Sequence, residues 1–154
     1  MTQSQKLTLF LLRVSMGWLM FYAGITKVFN PDWSAAGYLT AAKTFPTLFQ
    51  WFASPEILPV INLINEWGLT LLGVSLILGI FVRLSSLLGT ALMLLYYFPV
   101  LEFPLIPPHS YLVDDHIIYA LVLFGVALTA GHQAWSLNSW WAKTKLAKAL
   151  PFLK

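Results

Sequence analysis

The chain has 154 residues, 58% of them hydrophobic and only 10% charged, with nine Lys or Arg against six Asp or Glu. Soluble domains carry about 25% charged residues, so this charge cannot solvate a surface that must also place seven Trp, six Tyr and eleven Phe, and lipid is the expected solvent. With no Cys, the chain can hold no disulfide, Cys-ligated iron–sulfur cluster or thiol nucleophile, and the scatter of its basic residues among apolar runs speaks for membrane orientation and against nucleic acid.

A spanning helix needs about 20 apolar residues, and four runs meet or approach that length: Leu7–Phe29, Leu63–Val82, Leu84–Leu101 and Val113–Ala130. The first follows MTQSQK, which lacks a cleavage motif, so an uncleaved helix is expected. From Asn30 to Ile61 the chain is aromatic and cut by Pro46, Pro55 and Pro59. Ser34 is a candidate cap there, and the segment reads as one or two short interfacial helices or as a lid over a bundle cavity. Runs two and three are separated only by Arg83, which makes them an antiparallel helical hairpin. The stretch Glu102 to His109 contains three prolines and should be an extended loop. After run four, Trp135, Trp140 and Trp141 precede a basic tail over 132–154, as in an aromatic belt followed by headgroup contact.

The expected architecture is therefore all-α and integral to the membrane: one domain over 1–154, an antiparallel four-helix transmembrane bundle with short interfacial helices between helices one and two. Lys6, Arg13, Arg83, Lys143, Lys145, Lys148 and Lys154 fall on the side of the termini, while Lys27, Lys43 and all six acidic residues fall on the other. The positive-inside rule then places both termini in the cytoplasm.

Each span presents one face of small and polar residues. In the first, Arg13, Gly17, Met20, Gly24 and Lys27 form a narrow stripe at helical spacing. The second gives Asn62, Glu66, Leu69, Gly73 and Ile77, the third Ser85, Gly89, Met93 and Tyr96, and the fourth His116, Ala120, Leu123, Ala127 and Ala130. Antiparallel threading brings Lys27, Glu66, Tyr96, Asp115 and His116 to one depth at the outer end. Two readings follow. The cluster is either a set of snorkelling and capping side chains around a structural Lys27–Glu66 pair, or a pocket for a polar headgroup such as a quinone. In the second reading His116, Glu66 and Asp115 handle protons, and Lys27 and Tyr96 hold the headgroup. Arg13, Arg83 and His132 converge on the inner side, where phosphate headgroups and topology account for them. Haem has no support, since His116 and His132 lie at opposite ends of one helix and His109 in a loop, and three lone histidines make no zinc site.

LLRVSMGWLMFYAGITKVF followed by PDWSAAGYL resembles the opening of DoxX-type membrane proteins, with an Arg, spaced glycines and a terminal G-x-x-K before a Pro-containing loop. NEWGLTLLGVSLILGIFVRLSSLLGTALMLLYY is similar to that family's second and third helices, and AGHQAWSLN to its closing motif, with His132 and Asn138 where Arg and Asp are usual. The resemblance implies a four-helix prokaryotic inner-membrane protein related to DoxD, a subunit of thiosulfate:quinone oxidoreductase, with Arg13, Gly24, Lys27, Glu66 and Arg83 as motif residues. It implies a quinone-linked redox subunit; Arg13 joins Lys27 and Tyr96 as cofactor-binding candidates, and the partners to test for are the lipid bilayer, a soluble or membrane redox partner and a second copy of the chain. The rival expectation is a non-enzymatic structural or assembly subunit of a membrane complex.

Overall fold

The computed structural model describes residues 1–106, 110–141 and 143. His109 of the proline-rich loop and the tail lysines Lys145, Lys148 and Lys154 lie outside the described residues.

Helix α1 runs Gln3–Val28, starting earlier than the apolar pattern because Thr2 closes a capping box with Gln5 that satisfies the first free amides. It ends at Phe29, ahead of Pro31. The second long helix starts at Leu58, with Pro59 in its first turn where the missing amide costs nothing. It proceeds as α4 (Leu58–Leu63), a π turn (Ile64–Gly68) and α5 (Leu69–Leu78). Gly79 ends it in the left-handed region at φ 70°. Helix α6 (Val82–Val100) follows after three residues. The expected boundaries 63–82 and 84–101 thus move to 58–78 and 82–100.

The fourth run departs furthest from expectation. Helix α7 covers Asp115–Leu128, 14 residues or about 21 Å, against about 30 Å of hydrocarbon. Its N-terminus is fixed by Asp114, whose carboxylate accepts from Ile117 N at 3.2 Å, and its end gives way to a 3₁₀ turn at Ala130–His132. Three helices, at 3–28, 58–78 and 82–100, are long and apolar enough to cross a membrane. A short helix α8 (Asn138–Trp141) follows.

One core joins α1, α5, α6 and α7 through Met16, Met20, Leu69, Leu76, Met93, Leu123 and Val126. Its tightest contact is between α1 and α5, where glycines meet backbone. A Cβ on Gly73 would lie 2.3 Å from Phe21 N, and one on Gly24 2.4 Å from Thr70 N. Small residues let two helices approach this closely, and in lipid that packing replaces the hydrophobic effect as the source of association. The outward faces stay apolar, with Trp18, Tyr22, Leu71, Leu88 and Leu121 exposed as a lipid-facing surface requires.

Between α1 and α4 lie α2 (Ala36–Thr40) and α3 (Pro46–Phe52). They pack against the bundle. Ala35, Leu39, Ala42 and Phe49 form a small core with Leu58, Ile61 and Phe98, folding the segment over the ends of α4 and α6. Three donors then meet carbonyls in and just after the last turns of α6. Tyr38 OH bonds Tyr96 O, Lys43 N bonds Pro99 O at 3.0 Å, and Thr44 Oγ1 bonds Leu101 O at 2.6 Å. Ser34 does not cap a helix by its side chain; its Oγ accepts from Ala36 N at 3.2 Å in a local turn. The proline-rich loop is not simply extended, since β1 (Leu105–Ile106) pairs antiparallel with β2 (Ser110–Tyr111).

Candidate functional site

Under the α2 segment lies a cavity of about 260 Å³, lined by Lys27, Trp33, Ser34, Ala35, Tyr38, Asn65, Tyr96 and His116. Five parts of the chain meet there: the end of α1, the segment before and within α2, the π turn, the last turns of α6 and the first turn of α7. Lys27 sits at its edge. The ammonium spends one proton on Ala23 O at 2.7 Å and stands 5.3 Å above the Trp33 ring, and among the described residues it has no carboxylate partner. A cation on an apolar floor, with donors left over, favours an acceptor-rich group in the cavity.

A chain of hydrogen bonds forms the inner wall. Asn65 Nδ2 donates to Ile61 O at 2.8 Å, while its Oδ1 accepts from Tyr96 OH. The Tyr96 carbonyl accepts from Tyr38 OH, and the two rings stand edge to face with centroids 6.4 Å apart. His116 stacks edge to face on Tyr96 at 6.0 Å, and its Nδ1 is 2.7 Å from Asp114 Oδ2. Asp114 thereby serves both as helix cap and as partner of the imidazole, setting which ring nitrogen faces the carboxylate. Burial, helped by the Asp114 charge, pushes the Tyr38 phenol up to about 12, so the hydroxyl remains a donor throughout the ordinary pH range.

Of the sequence candidates, Lys27, Tyr96 and His116 come together around this cavity. Glu66 and Asp115 do not line it. Glu66 is half-buried and its backbone carbonyl accepts from Thr70 Oγ1 at 2.7 Å, with no ion pair to Lys27. The π turn is the reason: its i→i+5 bonds accommodate an extra residue, rotating everything upstream of Leu69, so Asn65 takes the inward position that a continuous α-helix would give Glu66. Asp115 is exposed, being the first residue of α7, and the cap position before it puts Asp114 beside His116. Asn65, Trp33, Tyr38 and Asp114 were not singled out from sequence. Of these only Asp114 carried a local signal, an acidic residue ahead of an apolar run.

Arg13 stands apart from the cavity, fourteen residues or about 21 Å from Lys27 along α1. It is wholly buried, with Nη2 donating to Trp135 O at 3.0 Å and its guanidinium 5.5 Å from the Phe10 ring. Among the described residues its Nε and Nη1 have no hydrogen-bond partner. The segment around Trp135 closes over it, with Ser136 against Gly79 and Leu137 N bonded to Leu78 O at 3.1 Å. Arg83 and His132 are exposed near the same end, Arg83 on a separate cavity of about 190 Å³. Among the described residues no cluster of three or more His, Asp or Glu exists that could hold a metal ion.

No curated protein and no solved structure matches the chain. The sequence model of the DoxX family does, over residues 8–101, from the first turns of α1 to the end of α6, so that Lys27, Asn65 and Tyr96 lie inside the match and His116 beyond it. With three helices of membrane-crossing length and this match over more than half its residues, the chain is a multi-pass membrane protein that belongs to the DoxX family.

Proposed function

We propose that this protein binds a quinone headgroup in the cavity beneath α2 and acts as the membrane subunit of a quinone-linked oxidoreductase related to DoxD, in the cytoplasmic membrane of a prokaryote. In this reading α1, the Leu58–Leu78 helix, α6 and α7 form an antiparallel four-helix bundle, both termini are cytoplasmic, and the cavity opens near the outer leaflet. The carrying observation is the cavity's composition: an ammonium with no carboxylate partner among the described residues, two tyrosines, an amide and a carboxylate-paired imidazole around a space of about 260 Å³. A cavity of about 150 Å³ accepts benzene, so a substituted six-membered ring fits here.

A bound quinone supplies an acceptor for two electrons and two protons, the electrons coming from a redox partner. Lys27 donates to one ring carbonyl oxygen with the protons it does not spend on Ala23. The Trp33 and Tyr96 rings sandwich or edge the headgroup and keep water out. His116, oriented by Asp114 and partly open to solvent, passes protons between water and the second carbonyl oxygen.

Binding is read from quenching of Trp33 fluorescence in the purified full chain titrated with a tail-less benzoquinone, with Trp33→Phe giving the background of the other tryptophans. Lys27→Met should lower the affinity about tenfold, the loss of one charge-assisted hydrogen bond, with unchanged thermal stability. Absence of any Trp33-dependent quenching, or full affinity in Lys27→Met, refutes the assignment and leaves the structural-subunit reading.

A further inference from the structure

On the other side of the Asn65–Tyr96 wall is a second, larger space. An open groove of about 760 Å³ runs between α5 and α6, with Ile64 and Leu95 at one end and Ile80 and Phe81 at the other. Along α6 this is about 21 Å, most of the roughly 30 Å hydrocarbon core. The groove exists because small residues stand where the two helices face each other. Gly68 has open space, a Cβ there meeting only Ile64 Cγ2 at 3.6 Å, and Ser75 and Ser85 bond each other at 2.6 Å across its floor. This contrasts with the α1 side of the same helix, where Gly73 is closed to any side chain.

The groove and the cavity share a partition. Ile64 and Leu95 line the groove, and their chain neighbours Asn65 and Tyr96 line the cavity. The hydrogen bond from Tyr96 OH to Asn65 Oδ1 ties the π turn to α6 at this partition. We propose that the groove holds the long hydrocarbon tail, of polyisoprenoid type, of the same ligand whose ring occupies the cavity, and that the Tyr96–Asn65 bond is the gate the ring passes on its way in from the bilayer.

The groove's dimensions single out this occupant. A helix is about 10–12 Å across and would rest on the exposed rim leucines, Leu71 and Leu84 among them, without reaching the half-buried floor. A single flexible chain reaches that floor along the whole length. It also stays joined to a headgroup across the partition that the groove and the cavity share, once the Tyr96–Asn65 bond opens. Because lipid tails are as apolar as leucine, the groove gains by packing rather than by removal of water, and a branched, stiff tail packs better than a mobile one. The inference rests on the quinone reading of the cavity.

The test compares a tail-less benzoquinone with one carrying four isoprene units, each titrated onto the full chain in vesicles of one lipid composition, so that partition into the bilayer is the same for every variant. Gly68→Leu puts a side chain into the end of the groove next to the partition, in helical backbone and with its Cβ in ordinary van der Waals contact with Ile64. It should weaken the four-unit ligand about tenfold and leave the tail-less one within about twofold. Leu88→Trp, filling the groove from its exposed rim, should do the same if Gly68→Leu folds poorly. Equal weakening of both ligands, or no weakening of either, overturns the groove assignment while leaving the cavity reading intact. A wild-type chain that does not bind the tail-less ring removes both. A groove that instead seats a second copy would show as a dimer that Leu88→Trp dissociates without altering the affinity for either ligand, and that too overturns the proposal.

Discussion

Gly73→Ala is the sharpest perturbation of this fold. The added methyl would lie 2.3 Å from Phe21 N and 2.6 Å from both Gly17 O and Phe21 Cα, all backbone atoms of α1. Ordinary contact begins near 3.4 Å, so α1 and α5 must separate by about 1.1 Å there, since no rotamer change can move a backbone. Overpacking costs about 1–3 kcal/mol, and the upper half applies where backbone opposes the methyl. Ala gains about 1 kcal/mol of helix propensity over Gly, which leaves a net loss of about 1–2 kcal/mol. Separation also pulls Lys27 on α1 away from Asn65 on the neighbouring helix, so ligand binding should weaken along with stability. Unfolding in mixed micelles, followed by tryptophan fluorescence, measures the first effect. Gly125→Ala, whose Cβ would meet nothing within 4 Å, is the control and should be neutral or mildly stabilising. If Gly73→Ala proves as stable as Gly125→Ala, the close α1–α5 contact is not what holds these helices together.

Other substitutions probe the two ends. Gly79→Ala should lose about 2 kcal/mol or more, because the residue holds φ 70° and its Cβ would strike Arg13 Nη1 at 2.3 Å and Ser136 Cβ at 2.5 Å; a melting temperature unchanged from wild type contradicts this. Asp114→Ala should destabilise α7 by about 1 kcal/mol through loss of its cap, whereas Asp114→Asn keeps the cap and removes only the charge beside His116, so the two should differ in stability yet agree in altered pH dependence of quinone turnover. Tyr38, with its folded pKa raised to about 12, contributes stability that is complete below the ordinary tyrosine range near 10 and falls as pH rises through 12. Alkaline unfolding of Tyr38→Phe should therefore show a flatter dependence across that interval, and an identical slope would count against the Tyr38 hydroxyl being held on the Tyr96 carbonyl.

Much of the helical scaffold was legible because the chain writes it in two redundant ways. The stripe Arg13, Gly17, Met20, Gly24 is the buried face of α1, and apolar length marks the three long helices. Lys27, Tyr96 and His116 were readable as a convergent set from depth alone. Glu66 was misplaced because a π turn leaves no mark in residue type: INEWG is compatible with an α-helix, and only tertiary packing selects the wider turn. The Asp114–Asp115 doublet offered two carboxylates for one role, and a shift of one residue in the helix start decides between them. Trp33 and Tyr38 face the cavity only because the segment folds back onto Phe98 and the carbonyls of α6, a long-range outcome that local periodicity does not encode.

The unequal helices also carry a consequence for the surrounding lipid. Helix α1 measures about 39 Å over its 26 residues while α7 measures about 21 Å, so the protein is thick on one flank and thin on another. In the proposed four-helix bundle about 9 Å of a 30 Å hydrocarbon layer beside α7 would have no helix of matching length, and local thinning of the bilayer would meet that mismatch at a fraction of a kcal/mol per Å. Lipids with short acyl chains should then collect against that flank, as should other proteins with short spans. The length of one helix in this way selects the company the protein keeps in the membrane plane.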